Sequence, residues 1–502
     1  MSLATIHTRA LVGISAPPVT VEVHLSGGLP SFAIVGLPET AVKESRERVR
    51  SALLNAGFEF PQRRLTVNLA PADLPKEGGR YDLAIAIGIL VASGQLNAPE
   101  IDQYEFLGEL ALSGELRPIE GVIPAALSCQ TAARKLILPV TGAEQAGLVR
   151  ELTAHAADHL LKVCAHLVSE QLLPLVSPLE RASFEQVLPD LADVKGQIQA
   201  KRALELAAAG GHNLLFSGAP GSGKSMLAQR LTGLMPPLTE KEQIEVAAVH
   251  SVAGRAEQVQ LHYQRPFRAP HHTASAVALV GGGSLPRPGE ISLAHHGVLF
   301  LDELPEFSRS VLEVLREPLE AGEIVISRAA RQAAFPAQFQ LVAAMNPCPC
   351  GYFADGSGRC QCGSDQVRRY QSRLSGPLLD RIDLQLSVRA LPKEDLLSDA
   401  PAHEPTAVVR ERVIQARQLQ LARQGCANRQ LSGRMLEQHC QLSREDQLML
   451  AGALETLGLS ARAYHRILRV ARTIADLAQR EKIMEADLLE ALSYRSGLKS
   501  SL

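Results

Sequence analysis

Two short segments in the middle of the chain hold the side chains best suited to chemistry. The first fits the pattern G-x-x-x-x-G-K-[ST] and consists of Gly218, Ala219, Pro220, Gly221, Ser222, Gly223, Lys224 and Ser225. In such a motif, glycine-rich backbone amides at a helix N-terminus bind phosphate oxygens, the lysine reaches the β- and γ-phosphates, and the hydroxyl binds Mg²⁺. An apolar run precedes the segment and a helical run follows it, as the motif requires. The segment therefore predicts a site for ATP and Mg²⁺.

The second segment supplies the carboxylates that such a site needs. Asp302 and Glu303 directly follow the apolar run 298–301. We expect Asp302 to hold Mg²⁺ through water, and Glu303 to orient and activate the water that attacks the γ-phosphate. A helix that starts with an acidic pair is the alternative interpretation. Together the two segments predict hydrolysis of ATP.

Three further positions are candidates for the hydrolytic site. Asn346 ends the apolar run 341–345 and could hydrogen-bond the γ-phosphate or the attacking water, although asparagine before proline is also a common turn former. Arg381 is suited to reach the site of a neighbouring subunit and stabilise charge on the phosphates, with Arg373 as a second candidate. Arg466 lies early in an arginine-rich helical run, and we expect it to sense the nucleotide in its own chain. A solvated basic stripe is the alternative for that run.

Half of the chain's eight cysteines lie within one short, glycine-rich segment. Their spacing is C-x-C-x₉-C-x-C, and the residues are Cys348, Cys350, Cys360 and Cys362. Thiolates spaced in pairs suit a tetrahedral Zn²⁺ site. Reduced thiols without metal and a redox-sensitive pair are the alternatives. The histidine pairs 271–272 and 295–296 have no matched carboxylate in their segments, so loop or core positions are favoured for them.

Composition limits the classes of protein to which this chain can belong. It has 502 residues, of which 46% are hydrophobic and 4% aromatic, and its formal net charge is −2. This charge excludes a generally basic surface that coats nucleic acid, but it leaves room for a local basic channel. The first residues do not resemble a signal peptide, and the chain has no apolar run of about 18 residues. We therefore expect a cytoplasmic protein with reduced cysteines and no membrane partner.

The apolar patterns divide the chain into four regions. Residues 1–175 mix strand-like alternation with helical spacing, and residues 176–189 are predicted to be a linker. Residues 190–395 alternate strands with helices, which is typical of a parallel sheet, and they contain both segments described above. Residues 400–502 are charged and helical, and they predict an all-α lid. The predicted fold class is therefore α/β, with an α+β region before the parallel core and helices after it.

The residues of the central region resemble a known family. The most specific stretches are 265–274 (RPFRAPHHTA), 279–283 (LVGGG), 288–295 (PGEISLAH) and 346–351 (NPCPCG). They are similar to the AAA+ ATPases of the magnesium-chelatase-like branch, and more narrowly to the YifB/ComM group of bacterial competence-associated proteins. The resemblance covers essentially the whole chain. It implies a homo-oligomeric ring, expected to be a hexamer, that uses ATP for helicase or branch-migration activity on DNA during homologous recombination.

This resemblance also suggests a role for a predicted hairpin after the acidic pair. Residues 323–335 are predicted to form two strands, with Arg328 and Arg331 near the tip. In related ATPases such hairpins point into the central channel, so these arginines would contact DNA phosphates in a sequence-independent manner. An ordinary solvated hairpin tip is the alternative.

The N-terminal region resembles a second family, the proteolytic domain of Lon-type proteases, whose fold is shared with a ribosomal S5 domain. The matching stretches are 75–86 and 112–124. Lon-type proteases carry a nucleophilic serine in the first stretch and an activating lysine in the second. Here residues 75–86 contain no serine, and Val122, Ile123 and Pro124 stand where the lysine would fall. We therefore expect no peptide-bond cleavage, and instead a structural, DNA-contacting or ring-organising role.

Two other functions remain open beside the leading hypothesis of a DNA motor that acts on branched recombination intermediates. One is a motor that remodels a partner protein, like the ATPase subunit of magnesium chelatase. That subunit is expected to lack a Lon-like N-terminal domain, so the domain content argues against this function. The other is an ATP-dependent protease, against which the missing serine and lysine argue.

Overall fold

The computed structural model describes residues 3–179, 188–255, 264–283, 286–328, 331–353, 355–356, 358–390 and 404–496. These residues form two compact units, each built from more than one stretch of chain. The first unit takes the described residues of Met1–Phe184, Glu240–His262 and Ser327–Phe335, and the second takes those of Glu185–Thr239, Tyr263–Ile326 and Pro336–Leu502. The region boundaries at 175–189 and 395–400 that the sequence suggests stay predictions.

The strands of the described residues are numbered in chain order. The first nine belong to the first unit and are β1 Leu3–Arg9, β2 Pro18–Ser26, β3 Ser31–Val35, β4 Arg64–Ala70, β5 Tyr104–Phe106, β6 Glu109–Leu110, β7 Leu116–Arg117, β8 Lys135–Pro139 and β9 Ala154–Ala157. The later strands are β10 Leu214–Ser217, β11 Phe267–Arg268, β12 Gly281–Gly282, β13 Arg287–Pro288, β14 Val298–Leu301, β15 Glu323–Arg328, β16 Arg331–Pro336, β17 Gln340–Met345 and β18 Leu384–Ser387.

The helices follow the same scheme, and none of those in the described residues combines the length and the apolarity needed to cross a bilayer. The helices before Asp302 are α1 Thr40–Asn55, α2 Asp82–Ala92, α3 Val122–Thr131, α4 Ala143–Gly147, α5 Leu160–Leu167, α6 Ile198–Gly210, α7 Lys224–Leu234, α8 Glu240–Val252, α9 Ala276–Val280 and α10 Glu290–Leu293. The later helices are α11 Arg309–Val314, α12 Arg316–Ala321, α13 Ser364–Gln371, α14 Gly376–Leu379, α15 Thr406–Gln424, α16 Gly433–His439, α17 Arg444–Thr456, α18 Ala461–Leu477 and α19 Glu485–Ser496. Short 3₁₀ turns lie at Ile101–Gln103, Val140–Gly142, Leu191–Asp193, Leu304–Glu306 and Asn428–Gln430.

The first unit is built on a mixed sheet with the strand order β3-β4-β2-β1-β5-β8-β9. β2 buries every second residue, because alternate side chains of a strand point to opposite faces. The apolar helix α2 packs closely on this sheet, since a Cβ added at Gly88 would lie 2.6 Å from Val23 Cγ2. α8 also belongs to this unit, where the Ser251 hydroxyl donates to Gln145 Oε1 at 2.7 Å.

The second unit contains a parallel sheet with the strand order β11-β14-β17-β10-β18. β10, β14 and β17 are buried along their whole lengths, which explains their continuous apolar sequences. All five strands run in the same direction, so their carboxyl ends meet at one edge of the sheet. In open parallel sheets, ligands bind at that edge.

The C-terminal helices of the second unit share a hydrophobic core with its sheet. Ile467 and Ile474 of α18 lie in one buried cluster with Leu204 of α6 and Phe216 of β10. The predicted fold class is thus confirmed: a mixed α/β chain with a parallel core and a helical C-terminal region. The predicted hairpin at 323–335 is also confirmed, because β15 and β16 form a two-stranded sheet.

Candidate active site

The phosphate-binding loop lies between the buried strand β10 and the first residue of α7. Gly221 and Gly223 have φ angles of 77° and 90°, in the left-handed region that favours glycine. Gly218 is required for another reason, because an added Cβ would lie 2.2 Å from the carbonyl oxygen of Val388. The sequence therefore selects glycine where the loop turns and where it passes a neighbouring strand.

The side chain of Lys224 lies within the loop and is largely buried. Its Nζ donates to the carbonyl oxygens of Gly218 at 2.7 Å and Ala219 at 3.0 Å. Burial lowers the pKa of this ammonium, while the carboxylates of Asp302 and Glu303 act in the opposite direction. A cation held at the amino end of a helix can bind phosphate oxygens.

The predicted Mg²⁺ ligands are in direct contact. The Ser225 hydroxyl donates to Asp302 Oδ2 at 2.6 Å, and the backbone amide of Glu303 donates to Asp302 Oδ1 at 2.9 Å. A hydroxyl and a carboxylate supply the oxygen ligands that Mg²⁺ prefers, so this pair fits the ion. Bound there, Mg²⁺ would neutralise charge on the phosphates.

Strand order explains why these residues meet. β14, β17 and β10 are adjacent in that order, so the residues after their carboxyl ends lie at the same edge. Asn346 follows β17, and its Oδ1 accepts a hydrogen bond from Lys224 Nζ at 3.2 Å. The structure thus brings Asn346, Asp302, Ser225 and Lys224 together, as the sequence predicts.

Glu303 has a partner that the sequence-based interpretation missed. Its Oε2 lies 3.2 Å from His272 Nδ1, and its side chain is 49% exposed, so water can reach it. Glu303 itself has a φ of 51°, an unusual backbone angle for a residue with a side chain. His272 follows β11, the strand next to β14, but only the sheet order reveals that proximity.

A second missed contact involves the start of α6. Gln197 Nε2 donates to the carbonyl oxygens of Ser222 in the phosphate loop at 3.3 Å and of Arg389 at 2.8 Å. Gln197 directly precedes α6 and has a φ of 51°. A glutamine that follows glycine carries no specific signal in one sequence, so its role was not predictable.

The two candidate arginine fingers are held by contacts within their own chain. Arg381 is largely buried, donates from Nη1 to Pro377 O at 2.7 Å and forms an ion pair with Glu320. Arg373 is 53% exposed and pairs with Glu306 at 2.9 Å, in the 3₁₀ turn that follows Glu303. The role of Arg381 in a neighbouring site stays a prediction.

Arg466 lies elsewhere in the second unit. Its Nη1 donates to Asp383 Oδ1 at 2.7 Å, and Asp383 Oδ2 accepts from the backbone amide of Asn213 at 3.0 Å. Asp383 and Asn213 precede β18 and β10, so this pair marks the amino ends of the strands. The phosphate loop follows the opposite ends. The structure therefore does not bring Arg466 to the loop, and its sensor role stays a prediction.

The DNA contacts predicted at the hairpin tip depend on residues that the structure describes only in part. Arg328 ends β15 and Arg331 begins β16, but their side chains lie outside the described residues. The DNA contacts predicted for them stay predictions. In the first unit, Val122 and Ile123 of α3 are fully buried where a Lon-type protease would carry its lysine.

The four cysteines of the central segment converge. Their Sγ atoms all lie within 4.8 Å of one another. The separations are 3.3 Å for Cys348 to Cys350, 3.8 Å for Cys348 to Cys360 and 3.6 Å for Cys350 to Cys360. A cluster of four thiols at these distances could hold a metal ion.

Comparison with known protein families matches three parts of this chain to the same protein, a subunit of magnesium chelatase. Residues 190–396 match the family described as magnesium chelatase, subunit ChlI, residues 21–142 match subunit ChlI of Mg-chelatase, and residues 403–495 match the C-terminal region of that subunit. The N-terminal match carries the same subunit's description. The presence of this N-terminal region is therefore no longer an argument against a motor like the magnesium-chelatase subunit.

The full chain also has relatives of the same length. It is 53% identical to the competence protein ComM of Haemophilus influenzae over 99% of this chain and 98% of that protein. It is 52% identical to the protein YifB of Escherichia coli K12 over 99% of this chain and 97% of that protein. A protein of Mycobacterium tuberculosis H37Rv is 42% identical over 99% of both chains.

The fold, the phosphate loop and the family matches together define an ATPase of the magnesium-chelatase-like AAA+ class. Identity above half over nearly the full length narrows the class further. The chain belongs to the YifB/ComM family.

Proposed function

We propose that this chain is an ATP-driven DNA motor that performs helicase or branch-migration work on branched recombination intermediates in the cytoplasm of naturally transforming cells. The observation that carries the proposal is the full-length similarity, at 53% identity, to a protein named for competence. The ATP site at the carboxyl edge of the parallel sheet supplies the energy source. Its residues favour phosphoryl transfer, because a buried lysine, a hydroxyl–carboxylate pair and an exposed carboxylate face one loop.

Each residue of the site has a proposed role in ATP hydrolysis. Lys224 and the loop amides bind the β- and γ-phosphates, while Ser225 and Asp302 hold Mg²⁺. Glu303 orients the attacking water and accepts its proton, and Asn346 positions that water or the γ-phosphate. The geometry supports these roles because Lys224 contacts Asn346 and Ser225 contacts Asp302.

We propose that the working form is a homo-oligomeric ring, with a hexamer as the expected size. AAA+ ATPases are typically oligomeric, and Arg381 of one copy is the proposed finger for the next copy's site. In this chain Arg381 pairs with Glu320, whose side chain is 60% exposed. Finger action would require Arg381 to leave this pair and its hydrogen bond to Pro377 O, and to move out of a largely buried position.

The proposed DNA contacts lie at the tip of the β15–β16 hairpin, at Arg328 and Arg331. Contacts from arginine to phosphate are independent of base sequence and weaken steeply with salt. The double variant R328A/R331A should therefore weaken DNA binding and reduce its salt dependence. Arg444, an exposed arginine of α17, provides the matched control as R444A.

The decisive experiment measures the ATPase rate of the purified full chain with a four-way junction, with linear duplex of the same length and composition, and without DNA. We expect the junction to stimulate hydrolysis most. The variant K224A should lose nucleotide binding and serves as the control for contaminating ATPases. Equal rates in all three conditions would refute the DNA-motor proposal.

A second candidate is a motor that remodels a partner protein, the alternative that the resemblance to the magnesium-chelatase ATPase subunit implies. The observation that favours it is the match of all three regions, including 21–142, to that subunit's families. ATP hydrolysis that ignores DNA but responds to a partner protein would support it. An ATP-dependent protease stays disfavoured, and digestion of casein would reverse that view.

A further inference from the structure

The segment that carries the four cysteines begins at the active site. It leaves β17 after Met345, continues through Asn346 and ends where α13 begins at Ser364. Cys348 is fully buried, and the other three cysteines are half-buried. The segment is therefore a connection between a central strand and a helix, with one pair of cysteines near the strand and the other pair near the helix.

The separations of the sulfur atoms fit one tetrahedral ion. Four thiolates at the usual Zn–S distance of about 2.3 Å lie about 3.8 Å apart along the edges of the tetrahedron. The observed separations of 3.3, 3.8 and 3.6 Å lie at that spacing or up to about 0.5 Å below it. Thiolates select Zn²⁺ over the hard, oxygen-seeking Mg²⁺ of the nucleotide site. The cluster contains no carboxylate or imidazole, so it fits a closed structural ion rather than a catalytic one.

The cysteine segment also contacts the phosphate loop. Gly351 packs against Pro220, because a Cβ added at Gly351 would lie 2.5 Å from Pro220 Cδ. The amide of Gly351 donates to the carbonyl oxygen of Cys348 at 3.0 Å, which ties this contact to the buried cysteine. On the other side of Cys348, Asn346 accepts a hydrogen bond from Lys224.

The conformation of the segment is costly to maintain without a ligand. Gly351, Gly356 and Gly358 have φ angles of 86°, 78° and 68°, and glycines lose more conformational freedom on ordering than other residues. A bound metal supplies folding free energy to such a segment, because its ligands converge only in the folded state. The metal would thus fix both Gly351 and Asn346 relative to the loop.

We propose that Cys348, Cys350, Cys360 and Cys362 bind one Zn²⁺ ion, and that this ion positions the phosphate loop for nucleotide binding. The ion acts through Gly351 on Pro220 and through Asn346 on Lys224. The inference rests on the proposed ATP site but not on DNA as the partner. It makes nucleotide affinity depend on a metal that takes no part in phosphoryl transfer.

The first test measures metal and nucleotide together on the purified full chain. Elemental analysis should find about one zinc per chain, as expected for a single tetrathiolate site. The variant C360S/C362S should lose the zinc and bind a fluorescent ATP analogue about tenfold more weakly, a loss as large as the smallest that mutation of outer-shell groups causes in metal affinity or activity. C426S, which changes a half-buried cysteine outside the cluster, should keep both properties.

The second test separates positioning from folding. G351A should retain zinc but lose nucleotide affinity, because its new methyl group would collide with Pro220. G356A is the matched control, since Gly356 has a similar φ of 78° but no atom within 4 Å of an added Cβ. The control should retain both zinc and affinity.

Two results would overturn the proposal. One is a purified chain without zinc that binds nucleotide normally and gains nothing when Zn²⁺ is added. The other is nucleotide affinity that stays unchanged in both C360S/C362S and G351A. Both readouts are taken without DNA, so a flat ATPase response to DNA would refute the motor proposal and leave this one standing.

Discussion

Replacing Asp383 by asparagine should destabilise the second unit more than removing its partner Arg466. Asp383 is fully buried at the amino ends of β18 and β10 and contacts Arg466 at 2.7 Å. Burial alone would raise the pKa of Asp383, but the neighbouring His212 ring and the charge of Arg466 hold it well below its usual range. The carboxylate is therefore charged in the folded protein at neutral pH.

Several other cations depend on the same carboxylate. Burial lowers the pKa of Arg429, Arg469 and Arg495, and the charge of Asp383 opposes that shift in each case. Without Asp383, these arginines and Arg466 would repel one another in a buried site.

The expected loss of folding stability in each variant depends on which charges remain in the buried site. D383N leaves buried cations uncompensated, and breaking a buried pair from one side costs about 3–5 kcal/mol. Loss of one hydrogen bond to a charged group costs about 1.5–3 kcal/mol. R466A leaves Asp383 with other arginines nearby and relieves part of their repulsion, so we expect a cost at the lower end of that range. The second unit is larger than the domains of about 150–250 residues for which 1 kcal/mol shifts Tm by about 2–4 °C. At a little under about 2 °C per kcal/mol, D383N should lower Tm by about 5–8 °C.

Thermal unfolding of the full chain followed by circular dichroism measures both variants. The folded pKa of Asp383 is depressed, so its contribution is complete above the unfolded pKa and is lost as pH falls towards the folded value. The Tm difference between the unmodified chain and D383N should therefore be full at neutral pH and shrink below about pH 4.

Nucleotide affinity decides between the two roles of Arg466. If it only pairs with Asp383, R466A should bind a fluorescent ATP analogue as the unmodified chain does. An R466A variant with unchanged Tm and weakened nucleotide binding would refute the structural role and support the sensor. A D383N variant that is no less stable than R466A would refute the charge argument itself.

Three further predictions concern the nucleotide site. E303Q should bind ATP but hydrolyse it at least about a hundredfold more slowly, because it lacks the proposed base; normal turnover in a single-turnover assay would remove Glu303 from that role. H272A should lower kcat and leave the affinity for ATP unchanged, because His272 Nδ1 lies 3.2 Å from the Oε2 of Glu303, the proposed base, and His272 has no proposed role in holding the phosphates; an equal change in KM would contradict this. G218A should abolish nucleotide binding, since its Cβ would lie 2.2 Å from Val388 O, and calorimetric titration with ATP would detect any retained affinity.

Much of the nucleotide site was predictable from the sequence because it is local. The phosphate loop is one contiguous motif, and Gly221 and Gly223 in it have the positive φ angles that favour glycine. Asp302 and Asn346 each follow a strand that is buried on both sides, and such strands have continuous apolar sequences. In the first unit, apolar and polar residues alternate along 64–69, a pattern typical of a half-buried strand, and this run is β4, Arg64–Ala70.

Local patterns failed where the chain departs from regular periodicity. Residues 106–112 look like one strand, but the structure divides them between β5 and β6. The division falls at Leu107 and Gly108, where the amide of Gly108 donates to Arg80 O at 3.1 Å. A glycine within an apolar run does not reveal such an interruption by itself.

The sequence by itself determined the chemistry of this protein, since residue types and short spacings specify a phosphate loop, its carboxylates and a set of thiols. Only the tertiary structure decided which distant residues meet: His272 with Glu303, Arg466 with Asp383, and Gly351 with Pro220. The physical reason is that strand order and packing set contacts between residues far apart in the chain. A pattern that repeats every two or four residues carries no information about them.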